Sequence, residues 1–157
     1  MASFEPWTQE RAAAIIAHFD GVEGATLPIL HEVQDVFGFI PEAVIPMIAQ
    51  ALNLSRAEVY GTVTFYHEFR QELPGRHVVK LCRAEACQAA GGDYLADCAE
   101  RRLGVKLGET TPDRRVTIEP IYCLGLCATA PSAMLDGRPV GRLDETKLND
   151  LLTEAQQ

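Results

Sequence analysis

His77-Val78-Val79-Lys80-Leu81-Cys82-Arg83-Ala84-Glu85-Ala86-Cys87 is the stretch at which the pattern of this chain changes. Its first half is a short β-branched run that reads as a strand, and the turn residues Glu72-Leu73-Pro74-Gly75 precede it. The run ends on a cysteine, and another follows five residues later. Upstream, the apolar residues recur at helical spacing; downstream, strands and helices alternate. The change divides the chain into an expected helical domain, residues 1–72, and an expected mixed α and β domain, residues 73–157.

Working back from this boundary, four helices are punctuated by clear start and stop signals. Ala12, Ile15, Ile16 and Phe19 follow Thr8, a fitting N-cap, and the run stops at Asp20-Gly21. Ile29, Leu30, Val33 and Phe37 form a second stripe, with Pro28 in its first turn and Gly38 at its end. Pro41 opens a third through Val44, Ile45, Ile48, Ala49 and Leu52, closed by Asn53. Ser55-Arg56-Ala57-Glu58 is a capping box, with Leu54 and Val59 placed as a hydrophobic staple, and its helix runs to about Phe65. Short connections between these helices predict a compact bundle.

Working forward, residues 88 to 103 return to helical spacing through Tyr94, Leu95, Cys98 and Leu103. Val116-Thr117-Ile118 reads as a strand. Ser132 to Leu135 and Pro139 to Leu143 flank Asp136-Gly137, a hairpin signal. A last helix starts at Asp144 and carries Leu148, Leu151 and Leu152, with a polar tail, residues 153 to 157, expected to fray. Strand, helix, strand, hairpin and helix make a small layer with mixed pairing.

The 157 residues suit one domain with a helical extension, and 47% apolar with 23% charged residues marks a globular chain. A net charge of -8, spread along the chain without a basic block, argues against nucleic-acid binding. No stretch approaches the roughly 20 apolar residues of a membrane helix, so no direct membrane insertion is expected. The first twenty residues carry early acids and no long apolar run, unlike a signal or transit peptide. The expected location is the cytoplasm, where thiols stay reduced and five cysteines point to metal or redox chemistry rather than to disulfides.

Two cysteine pairs carry that chemistry: Cys82 and Cys87, spaced C-x4-C, and Cys123 and Cys127, spaced C-x3-C. Each pair lies where a strand is expected to give way to a loop. Four thiolates suit either tetrahedral zinc or an iron–sulfur cluster. Zinc usually takes tighter knuckles, whereas the wider [2Fe-2S] rhomb, with two ligands on each iron, is well served by longer intervals. Gly125 within the second pair and Gly91-Gly92 after the first let backbone N–H groups approach sulfur. Neither pair is the C-x-x-C of dithiol redox chemistry. Cys98 falls on the apolar stripe with Leu95 and Tyr94 and reads as a small buried hydrophobe. Arg83 is a candidate to temper cluster charge or an ordinary loop residue. His18, His31, His67 and His77 show no ligand spacing.

The runs Cys82-x4-Cys87, Ile121-Tyr122-Cys123-Leu124-Gly125-Leu126-Cys127 and Ala130-Pro131-Ser132-Ala133-Met134 resemble the thioredoxin-like [2Fe-2S] ferredoxin subunits of NADH dehydrogenases. That family includes the 24-kilodalton subunit of respiratory complex I and its counterparts in NAD-reducing hydrogenases and soluble NAD-dependent formate dehydrogenases. The helical half is similar as well, through Glu32-Val33-Gln34-Asp35-Val36-Phe37-Gly38 and Val59-Tyr60-Gly61-Thr62-Val63-Thr64-Phe65-Tyr66. The resemblance implies an α+β fold, an N-terminal helical bundle followed by a thioredoxin-like ferredoxin domain. It also implies one [2Fe-2S] cluster on Cys82, Cys87, Cys123 and Cys127.

By the same resemblance the partners are a flavoprotein subunit with FMN and the NAD site, and a larger catalytic subunit. The chain contains no G-x-G-x-x-G and no P-loop pattern of its own, and alone it is expected to be an electron carrier without catalytic residues. Short length, Phe65-Tyr66-His67-Glu68-Phe69-Arg70 and Cys127-Ala128-Thr129-Ala130-Pro131 look most like the gamma subunit of the formate dehydrogenases. A structural zinc scaffold is the competing reading from another class. A third is a helical half that serves as an interaction module, with Trp7, Phe65, Tyr66 and Phe69 either contacts or core.

Overall fold

The computed structural model describes residues 4–157. Residues 1–3, at the start of the expected helical domain, lie outside the described residues. The chain divides into two compact units, the first ending at Leu73 and the second running Pro74–Gln157. No helix among the described residues is long and apolar enough to cross a membrane.

The first unit contains four helices: α1 (Gln9–Ala17), α2 (Thr26–Phe37), α3 (Val44–Ala51) and α4 (Arg56–Phe65). Thr8 caps α1, its side chain accepting the Arg11 N–H. The apolar stripes of the four helices close on one core, in which Ile15, Ile29, Leu30, Val33, Val44, Ile48 and Val59 are buried. The capping box of α4 is complete: Ser55 Oγ accepts the Glu58 N–H at 3.2 Å, and Glu58 Oε2 accepts the Ser55 N–H at 2.8 Å. Leu54, the expected staple partner of Val59, remains at the surface.

The segment after α4 is tied back onto α2. Gln34 Nε2 donates to the Glu68 carbonyl at 2.8 Å, and Gln34 Oε1 accepts the Arg70 N–H at 2.7 Å. Phe69 is thereby buried against the His31 ring, with centroids 5.0 Å apart. Trp7 meets Phe37 edge-on at 5.0 Å. Phe69 is thus a core residue and Trp7 packs half-buried against the core, whereas Phe65 is 72% and Tyr66 41% exposed.

The second unit runs β1 (His77–Cys82), α5 (Glu85–Ala89), α6 (Gly92–Leu103), β2 (Val116–Ile121), β3 (Ala133–Leu135), β4 (Arg138–Val140) and α7 (Glu145–Ala155). The sheet order is β2-β1-β3-β4; β1 and β2 are parallel, joined through α5 and α6, and the other neighbours are antiparallel. Val79, Leu81, Val116, Ile118, Ala133 and Leu135 meet Leu95, Ala99, Leu148 and Leu152 in the core. This is the expected α+β class with mixed pairing.

Three local expectations are corrected. The helix read over residues 88 to 103 is two helices, because Gly91 takes φ +91° and interrupts it. Tyr94 does not face the core: it is 56% exposed and donates to Glu145 Oε2 at 3.2 Å. The polar tail does not fray, since α7 reaches Ala155, which is buried, and the Gln156 carbonyl accepts Arg115 Nη1 at 2.6 Å.

The hairpin turn has a function beyond reversal. Asp136 and Gly137 both take positive φ, as a two-residue I′ turn requires. The Asp136 carboxylate accepts the Val78 N–H at 2.8 Å and meets His77 Nδ1 at 2.6 Å. The turn thus anchors the start of β1, at the other end of which lies Cys82.

Candidate functional site

The four paired cysteines gather at one end of the sheet. Cys82 is the last residue of β1, and Cys87 lies inside α5 rather than in a loop; both are buried. Cys123 follows β2 by two residues and Cys127 opens a short 3₁₀ turn, Cys127–Thr129; both are exposed.

Hydrogen bonds to Cys82 draw the two pairs together. Burial pushes the Cys82 thiol up, but bonds from the Ala84 backbone, the Cys87 side chain, the Cys123 backbone and the Ser132 side chain outweigh it, and the thiol lies below its ordinary value. The Cys123 N–H reaches that sulfur from a backbone with φ 101°, which non-glycine residues rarely adopt. Cys123 and Cys127 sulfurs are 3.6 Å apart, and the Gly125 N–H donates to Cys123 Sγ at 3.3 Å. The Cys123 thiol holds Cys127 above its ordinary value by hydrogen bonding and charge, and the charge of Cys87 adds to the effect. The thiols are therefore grouped two and two, within electrostatic reach of one another. Among the described residues no three His, Cys, Asp or Glu side chains form a single-ion site.

Gly92 makes the first pair compact. A Cβ there would meet the Cys87 carbonyl oxygen at 2.6 Å and its carbon at 3.0 Å, so only glycine lets α6 begin this close to the Cys87 backbone.

Some expected residues stand apart. Cys98, on α6, is half-buried at the edge of the core, and Arg101 Nη2 donates to its sulfur at 3.2 Å. Arg83 pairs with Asp93 through Nη2 at 3.0 Å. His77 is engaged with Asp136, His31 with Phe69, and His18 lies 3.5 Å from Glu32.

Sequence reasoning passes over Ser132. It is buried, with Oγ 3.5 Å from Cys87 Sγ, and its carbonyl accepts the Cys82 N–H at 3.1 Å. A polar residue between Pro131 and the apolar start of β3 is the available signal; its contact with sulfur depends on β3 pairing with β1, more than forty residues away in sequence.

The chain and its fold have relatives among known proteins. The family profile described as thioredoxin-like [2Fe-2S] ferredoxin matches residues 12–156. The E subunit of NADH-quinone oxidoreductase from Pseudomonas aeruginosa is 34% identical over 119 residues, 76% of this chain and 72% of that protein. Its namesake in Aquifex aeolicus is 34% identical over 138 residues, covering 88% and 86%. The HndA subunit of the NADP-reducing hydrogenase of Solidesulfovibrio fructosivorans is 32% identical over 132 residues, covering 84% and 77%. Among solved structures, a chain of an air-oxidized NAD+-reducing [NiFe]-hydrogenase superposes with a TM-score of 0.70 at 26% identity over 84% of this chain. This chain spans about a quarter of that longer one, 23% of its length.

Proposed function

Since the chain belongs to the thioredoxin-like [2Fe-2S] ferredoxin family, we propose that it is the [2Fe-2S] electron-carrying subunit of an NAD-linked multisubunit oxidoreductase. Cys82, Cys87, Cys123 and Cys127 are its four cluster ligands. The observation that carries this reading is the two-and-two grouping of thiols around Cys82, which suits two irons with two thiolates each. The donor set is all soft sulfur, and the N–H groups of Ala84, Cys123 and Gly125 are turned to it, as a negatively charged cluster requires. When bound, the cluster supplies one-electron transfer. The chain's own residues fix the ligand positions, bury one pair and leave the other pair open to a partner.

The names of the relatives support an NAD(P)H-linked assembly, and the partner in this reading is the flavoprotein subunit with FMN and the NAD site that the sequence resemblance implies. The exposed Phe65 and Tyr66 at the end of α4 are docking residues for it in this reading. The helical unit serves assembly and the second unit electron transfer, in the cytoplasm. Within the family, the gamma subunit of a soluble NAD-dependent formate dehydrogenase is the specific assignment that the runs at residues 65 to 70 and 127 to 131 favour, with a larger formate-oxidising subunit as the terminal partner.

Iron and sulfide analysis with EPR of the anaerobically isolated protein tests this. Two irons, two sulfides and a reduction-dependent signal per chain are expected, and Cys→Ser at 82, 87, 123 or 127 alters or abolishes that signal. Colourless protein with stoichiometric zinc, or a signal indifferent to all four changes, refutes the reading. Isolation of the native complex identifies its largest subunit: a molybdenum or tungsten protein supports formate oxidation, and a nickel–iron or membrane subunit replaces it.

A further inference from the structure

Ser132 occupies a position that packing alone does not explain. Its neighbours Ala130, Pro131 and Ala133 are apolar, and Ser132 itself is 2% exposed. An alkyl group would be the cheaper occupant of such a place, because a buried hydroxyl without a partner is destabilising. The hydroxyl is instead held against sulfur, 3.5 Å from Cys87 Sγ. The backbone fixes it there: the Cys82 N–H binds the Ser132 carbonyl, and β1 and β3 continue the ladder through Leu81 and Ala133.

Between a free thiol and a hydroxyl, either atom donates. A metal-bound cysteine is a thiolate and has no proton to give, so there the hydroxyl is the donor. We infer that Ser132 is a positioning residue that donates its hydroxyl hydrogen bond to the buried Cys87 ligand sulfur and thereby raises the cluster's reduction potential. This rests on the ligand assignment above. The couple takes one electron from the reductant and moves no proton. The reduced cluster is one charge more negative, so the hydrogen bond stabilises it more than the oxidised form.

The test is a mediated redox titration of the full-length, cluster-loaded protein, followed by EPR. Ser132→Ala is expected to raise the oxidised-to-reduced ratio at fixed poise by about threefold to tenfold, which is a drop of about 30 to 60 mV for one electron. Vibrational spectra should show a change in the iron–cysteine stretching region on H/D exchange that is smaller in the variant, which keeps only the backbone N–H donors. A loaded Ser132→Ala protein with the original potential overturns the inference while leaving the ligand assignment intact. Loaded Cys82→Ser and Cys87→Ser proteins with unaltered spectra would instead overturn the ligand assignment.

Should Ser132→Ala fail to load, the near-isosteric variants Ser132→Thr and Ser132→Val differ only in hydroxyl against methyl. Loading of Thr alone, or a higher potential in Thr than in Val, supports the hydroxyl's role. Equal potentials, a higher potential in Val, loading of Val alone, or failure of both, overturn it.

Discussion

Replacing Gly92 by alanine places one methyl group where the backbone leaves no room. The added Cβ lies 2.6 Å from the Cys87 carbonyl oxygen, whereas ordinary contact begins at 3.4 Å, a shortfall of about 0.8 Å. The carbonyl carbon is also close, at 3.0 Å. Both atoms are main chain, so no rotamer change relieves the overlap, and α5 or the start of α6 must shift. Overpacking of this kind costs about 1–3 kcal/mol, and replacing glycine in a helix returns at most about 1 kcal/mol. The net expectation is a loss of up to about 3 kcal/mol, with a change in the cluster's EPR line shape as Cys87 moves relative to Cys82. Gly61→Ala is the matched control: it lies in α4 with nothing within 4 Å of its added Cβ, and gains about 0.5–1 kcal/mol. Urea unfolding of both variants, with EPR of the loaded proteins, measures the contrast. A Gly92→Ala protein as stable as the parent, with an unchanged spectrum, refutes the steric reasoning.

The α4 capping box gives a pH dependence. The Ser55 N–H and hydroxyl hold the Glu58 carboxyl below the ordinary carboxylate range, so its contribution is present above that range and lost as pH falls through the lowered value. Urea midpoints of the parent should therefore fall more steeply than those of Glu58→Gln on acidification below the ordinary glutamate value of about 4.3; parallel curves would count against the box. Removing residues 154 to 157 deletes the buried Ala155, the Arg138–Glu154 pair and the Arg115 acceptor, and should destabilise the second unit by about 1–3 kcal/mol. An unchanged unfolding midpoint would mean that the end of α7 contributes nothing. Cys98→Ser should leave the iron content and spectrum as they were, since its sulfur meets Arg101; iron loss on this change alone would require a new ligand set.

Where local chemistry decides structure, the sequence is readable. Ser55 and Glu58 form their box from residues three apart, and Asp136-Gly137 form the turn that their backbone preferences demand. The four cysteines stand out as pairs because their spacing is local. What joins the pairs is tertiary: the Cys123 N–H and Ser132 reach Cys82 only after β1, β2 and β3 align, and no periodicity encodes that alignment. The misreadings share this origin. Tyr94 fits the apolar stripe of α6 but has a partner in Glu145, 51 residues on, that rewards an outward position. The tail offers one apolar residue, Ala155, too little to register as a stripe, and Arg115, 41 residues away, holds it down. Gly91 and Gly92 suggest sulfur contact by their place in the sequence, whereas their first consequence is to split one expected helix in two.

Cys123 is asked for two properties that no single amino acid combines. Its φ of 101° suits glycine, and the proposed chemistry demands sulfur. Holding a side chain there costs about 1–3 kcal/mol, a compressed spring within the exposed loop. Whatever seizes that sulfur must hold the spring closed. The expected outcome, when that grip is lost, is a loop that unwinds before the sheet behind it. Limited proteolysis around residues 122 to 127 would then distinguish an empty chain from a filled one before any loss of the fold.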